Sequence, residues 1–81
     1  MLDPSLLDRW FSRQVLPGIQ FSLNDSVEVI AGPHAGSFGA VISPVEFAPD
    51  PRFLVELGSG VDVEVAQSEL RRLAPPGTPV P

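Results

Sequence analysis

Residues Asp25–Ile42 read DSVEVIAGPHAGSFGAVI, and the fold turns on this stretch. Val27 and Val29 alternate with polar neighbours and so point to one face of a strand. The chain then passes Gly32, Gly36 and Gly39 and resumes as a strand at Ala40, Val41 and Ile42. Glycines at such spacings mark places where φ is positive or where a Cβ would strike a neighbouring backbone. They do not form a phosphate loop, which needs Gly-Lys-Ser/Thr. Nor do they fit a dinucleotide fingerprint, which opens a helix, because a strand follows here.

Working outward, the chain divides into three parts. Residues 1–17 form an N-terminal helix, with Asp3 as N-cap, Pro4 in the first turn, and helix running from Pro4 to Leu16. Pro17 and Gly18 stop it. Leu6, Leu7, Trp10, Phe11 and Val15 share its apolar face. Residues 18–73 are the β domain. After the glycine turn comes a loop from Ser43 to Pro51, then a strand Arg52–Leu57 with Phe53, Val55 and Leu57 on one side. Gly58-Ser59-Gly60 makes a tight hairpin. The next strand, Val61–Val65, turns Val61, Val63 and Val65 inward and Asp62 and Glu64 outward, with Glu56 across the hairpin from one of them. Ala66–Glu69 makes one helical turn and Leu70–Leu73 a last short strand. Residues 74–81, APPGTPVP, form a disordered proline-rich tail.

The pattern from Asp25 to Ile42 resembles the KOW motif of NusG-type transcription factors and several ribosomal proteins. The resemblance covers the motif closely and the remaining strands by order and spacing. It implies a mainly β protein: a small five-stranded SH3-like barrel, here carrying an N-terminal amphipathic helix. In that family the turn loop belongs to the partner-binding edge, which implies a contact role for Pro33, His34 and Phe38. The resemblance also implies an alternative, an RNA-binding or ribosome- or transcription-associated role, for which Arg52, Arg71 and Arg72 are the residues to test.

Composition weighs between these. The chain has 81 residues, so it makes one small domain, whose core rarely supplies more than ~3–5 kcal/mol of net stability. Without cysteine it has neither disulfide nor thiolate metal site, and one histidine cannot make a cluster. No cofactor or metal is expected. The start, MLDPSLLDRW, lacks the basic and apolar regions of a signal peptide, and no apolar run nears the ~20 residues of a membrane span, so a cytoplasmic protein is expected. Ten acidic residues face five basic ones, all arginine, for a net charge of −5. No lysine or arginine lies between Gln14 and Pro51, the interval that holds the glycine turn. Nucleic-acid affinity comes mostly from neutralising phosphates with Lys and Arg, so charge favours protein as the partner.

Catalysis is not expected. Asp25, His34 and Ser37 carry triad chemistry, but no nucleophile elbow or oxyanion loop accompanies them. Asp62, Glu64 and Glu56 lie on an exposed strand face, where charge serves solubility and blunts edge pairing. A methyl-lysine cage would need several Tyr or Trp, and the chain has no Tyr and one Trp. Phe38 and Phe47, in loops, either cap the open ends of the barrel or form an apolar patch for a partner. The expected function is therefore non-catalytic binding of another protein through an edge of Pro33, His34, Phe38 and Phe47. Self-association through Leu7, Phe11 and Val15 is a second possibility, with Leu6 and Trp10 anchoring the helix. The alternative is a linker, Pro17–Leu23, folded back so that Ile19 and Phe21 cover that face.

Overall fold

A computed structural model describes residues 2–73. The proline-rich tail at 74–81 lies outside the described residues. The protein is mainly β: five antiparallel strands in one unclosed sheet, with one short helix.

Helix α1 spans Pro4–Phe11. The Asp3 carboxylate caps it, accepting from the Ser5 backbone N–H at 2.8 Å and from the Ser5 hydroxyl at 2.9 Å. These two bonds, the backbone one first, hold the Asp3 carboxyl below its ordinary pKa. The helix ends short of the expected Leu16. Arg13 takes φ +62°, its N–H bonds to the Trp10 carbonyl, and the Gln14 N–H bonds to the Arg9 carbonyl, both at 3.0 Å. That is a Schellman stop with a non-glycine residue in the left-handed position, which costs roughly 1–2 kcal/mol. The Arg13 guanidinium offsets this by donating to the Leu23 carbonyl and lying 4.0 Å from Asp25 Oδ1.

The strands are β1 (Ser26–Val29), β2 (Phe38–Glu46), β3 (Arg52–Leu57), β4 (Asp62–Ala66) and β5 (Leu70–Arg72). Their order across the sheet is β4-β3-β2-β1-β5. A 3₁₀ turn at Gln67–Glu69 joins β4 to β5. Register places Val41, Val55 and Val63 in one row, and Val27, Gly39 and Leu57 in another. These rows face the core, which also holds Val29, Phe53, Val65 and Leu70.

Strand β2 is longer than expected. It continues through Ser43 and Pro44 to Glu46, with register shifts between Val41 and Ser43 and between Pro44 and Glu46. Such bulges let a strand bend. Pro44 is tolerated because β1 pairs only with Phe38, Gly39 and Ala40, so beyond Val41 the strand has one paired neighbour, β3. Val61, expected inward, is 56 % exposed. It precedes β4, and its carbonyl accepts from the Leu57 N–H at 2.8 Å, closing the β3–β4 hairpin at the sheet's end.

The second layer is α1 and the segment after it. Trp10 is buried and its Nε1–H donates to the Phe21 carbonyl at 2.8 Å. The Trp10 and Phe21 rings lie 6.1 and 5.8 Å from that of Phe53. Leu16 and Phe21 are buried, and Leu6, Ile19 and Leu23 pack against the core they join. Gln67 clamps this segment, accepting from the Gln20 N–H at 2.9 Å and donating to the Gly18 carbonyl at 3.0 Å. Arg72 adds a bond to the Gln20 carbonyl and stacks 5.4 Å over the Phe21 ring. The segment after α1 thus packs on the core beside Trp10 and Leu6, while Phe11 and Val15 stay exposed.

Candidate functional site

The β1–β2 loop is built by backbone bonds. The Gly36 N–H donates to the Val29 carbonyl at 2.7 Å, and the Val29 N–H donates to the Ser37 carbonyl at 2.8 Å. Gly36 takes φ +90°, a conformation that side chains with a Cβ rarely adopt. Gly32 also has positive φ, and a Cβ there would sit 2.7 Å from Glu69 Oε2. Gly39 has no such φ. Its Cβ would lie 2.2 Å from the Glu56 carbonyl oxygen, so the glycine is set by close approach of β3.

This loop brings Pro33, His34 and Phe38 to one end of the sheet. Pro33 is exposed, His34 half-buried, and Phe38 is 54 % exposed on the outer face of β2. The Gly58 N–H donates to the Phe38 carbonyl at 3.1 Å, which sets the β3–β4 turn beside it. Two further apolar residues stand at this end, Ile30 at 50 % exposure and Val61. Ile30 was not singled out in the sequence. Its signal is phase: it follows Val27 and Val29 out of step and so points to the opposite face. Phe47 is not at this end. It follows the far terminus of β2 and packs, half-buried, against the core.

The residues expected to form an oligomer face are only partly on the helix. Leu7 and Phe11 lie on α1, half-buried and 44 % exposed, but Val15 falls beyond the helix end and is 90 % exposed. Phe11 packs edge-on to Trp10, at 5.1 Å between ring centroids.

The arginines are engaged by acidic groups of the chain. Arg52 Nε lies 2.6 Å from Glu64 Oε2, and that bond is the main cause holding the Arg52 guanidinium above its ordinary pKa. Arg71 pairs with Glu28, its cross-strand neighbour. Arg72 Nη2 lies 3.1 Å from Asp25 Oδ2, and Arg13 approaches the other oxygen of the same carboxylate. The three arginines of the nucleic-acid alternative thus stand on β3 and β5, each against a carboxylate.

Asp25, His34 and Ser37 do not form a triad. Asp25 precedes β1 and accepts from the Ser22 N–H at 2.8 Å, while His34 and Ser37 lie in the loop beyond the other end of β1. Glu56 and Asp62 are direct cross-strand partners on the outer face, as the hairpin predicts. Among the described residues, no three His, Cys, Asp or Glu side chains are grouped to hold a metal ion, and no helix is long and apolar enough to cross a membrane. The chain matches no protein-family model, no curated protein and no solved structure.

Proposed function

We propose that this protein is a non-catalytic binding module on an SH3-like, KOW-type barrel, engaging another protein through the end of the sheet that bears Pro33, His34 and Phe38. The observation that carries the reading is Phe38, an aromatic side chain more than half exposed on the outer face of a strand, with exposed Ile30 following β1 on the same face. Exposed aromatics at a loop-bearing end are the usual anchors of protein contacts. The strand order, with a 3₁₀ turn between the last two strands, supports the barrel reading. The arginine pairings support protein over nucleic acid. Each cation held by a carboxylate is less free to displace counterions from phosphate.

The test is capture of partners by the tagged protein from its own cells, with and without nuclease, beside a Phe38→Ser variant. A half-exposed side chain contributes little to folding, so this variant keeps its stability within about 0.5 kcal/mol. The reading requires nuclease-resistant capture that Phe38→Ser weakens. Nuclease-sensitive capture, or sub-micromolar RNA binding at physiological salt that depends on Arg52, Arg71 and Arg72, overturns it.

A further inference from the structure

We infer that the outer face of β2 and β3 beside Phe38 takes a cationic, apolar segment of its partner, one that sets an apolar side chain on Phe38 and a lysine or arginine against Glu56 and Asp62. The inference rests on the protein-binding reading above and specifies the chemistry of the partner.

The apolar half is Phe38 and Ile30, with Ala40 two residues along β2 on the same face. The chain beside Phe38 on the β3 side is Gly58, which has no side chain to cover the ring. The charged half is the next outer row, where register sets Ala40, Glu56 and Asp62 side by side. Both carboxylates are exposed, and directly opposed residues have Cβ atoms only about 4.5–5.5 Å apart, so like charges there repel. Among the described residues neither has an ion-pair partner, whereas Asp25, Glu28 and Glu64 each hold an arginine. A cation brought by a partner relieves that repulsion.

Geometry also orients the segment. On the β1 side of Phe38, Glu28 is already neutralised by Arg71, so the uncompensated negative charge lies toward β3 and β4. Strand spacing puts Glu56 and Asp62 roughly 8–12 Å from Phe38. An extended segment advances ~3.3 Å per residue and presents every second side chain to one face, so the cation falls about two or four residues from the apolar anchor. The net charge of −5 steers such a segment toward the protein from a distance.

The experiment selects random linear peptides on the immobilised protein at ~0.15 M salt, where exposed charges more than ~8 Å apart are largely screened. Selected peptides are then titrated into ¹⁵N-labelled protein. The expected peptides carry Lys or Arg about two or four residues from an apolar side chain and shift the amides of Ile30, Phe38, Glu56 and Asp62. Phe38→Ser weakens them about tenfold or more. Glu56→Gln with Asp62→Asn weakens them by about tenfold and flattens their salt dependence. Peptides without cationic excess, or ones that bind the double variant equally, overturn this inference. If Phe38→Ser still abolishes their binding, the protein-binding reading stands. Binding that spares Phe38 altogether overturns both. Self-association of the free protein that Phe38→Ser abolishes assigns the face to a second copy and also overturns the inference.

Discussion

Gly39→Ala is the substitution that tests the architecture most directly. Gly39 lies in β2 between Val27 of β1 and Leu57 of β3. An added Cβ would lie 2.2 Å from the Glu56 carbonyl oxygen, 2.9 Å from its carbon and 3.1 Å from Leu57 Cα. Carbon and oxygen make favourable contact at about 3.3–3.6 Å, so β3 must retreat by about 1 Å. The obstruction is backbone on a paired strand, and no side chain can swing aside to relieve it. Overpacking of this kind costs about 1–3 kcal/mol, and weakening a ladder hydrogen bond adds about 1 kcal/mol. A loss of ~2–4 kcal/mol lowers the melting temperature of a domain this size by about 8–32 °C. Trp10 is the single tryptophan, the chain has no tyrosine, and the indole is buried, so its fluorescence reports unfolding cleanly beside far-UV circular dichroism. Gly58→Ala is the control. Nothing lies within 4 Å of its Cβ, so its melting temperature holds or rises. A Gly39→Ala midpoint within about 2 °C of the parent refutes the close-approach account, since 1 kcal/mol alone shifts it by about 4–8 °C.

Three further outcomes follow. Trp10→Phe keeps most of the buried ring but leaves the Phe21 carbonyl without its donor, costing about 1–3 kcal/mol in urea unfolding; an unchanged midpoint removes that bond from the account. Glu56→Lys replaces a like-charge cross-strand pair with an opposite-charge one and raises stability by about 0.2–1 kcal/mol at low salt, a gain that shrinks in high salt. Asp3→Asn leaves the cap in place at neutral pH but changes the acid limb. Asp3 has a lowered pKa when folded, so its contribution is full above the unfolded value of ~3.9 and is lost as pH falls through the folded one. The variant lacks that charge-dependent contribution, so as pH falls below about 4 the parent loses stability that the variant does not; parallel acid unfolding curves contradict this.

The strands were legible because alternation is a local signal. Val27 and Val29, Phe53 and Val55, and Val63 and Val65 stand in the core where period two puts them. Val61 shows the limit of that signal. Its phase is inward, but it lies before β4 at the hairpin end, and it is exposed there. Helix α1 was misread at its end because Pro17 and Gly18 supplied a sufficient stop. The actual stop uses Arg13 in a conformation for which glycine is the usual mark, stabilised by the Leu23 carbonyl and Asp25, partners distant in sequence. In β2, Pro44 read as a breaker because one sequence does not show that the strand has lost one neighbour there.

The arginines tie these misreadings to the candidate site. Arg13 and Arg72 converge on Asp25, and Arg72 also reaches the Gln20 carbonyl and the Phe21 ring. They fasten the N-terminal segment across the inner face of the sheet, and that segment supplies Trp10, Leu16 and Phe21 to the core. A sheet of five short strands cannot bury its valines alone, so cations are used here for folding. Arg52 and Arg71 neutralise Glu64 and Glu28 on the sheet itself. With four of five arginines so placed, seven carboxylates are left without a cation among the described residues, and two of them, Glu56 and Asp62, stand opposite one another in the row next to Phe38. The charge total is visible in the sequence, but its allocation depends on strand register and on the folded-back linker. The allocation is what makes the outer face near Phe38 acidic as well as apolar, the combination on which the proposed partner chemistry depends.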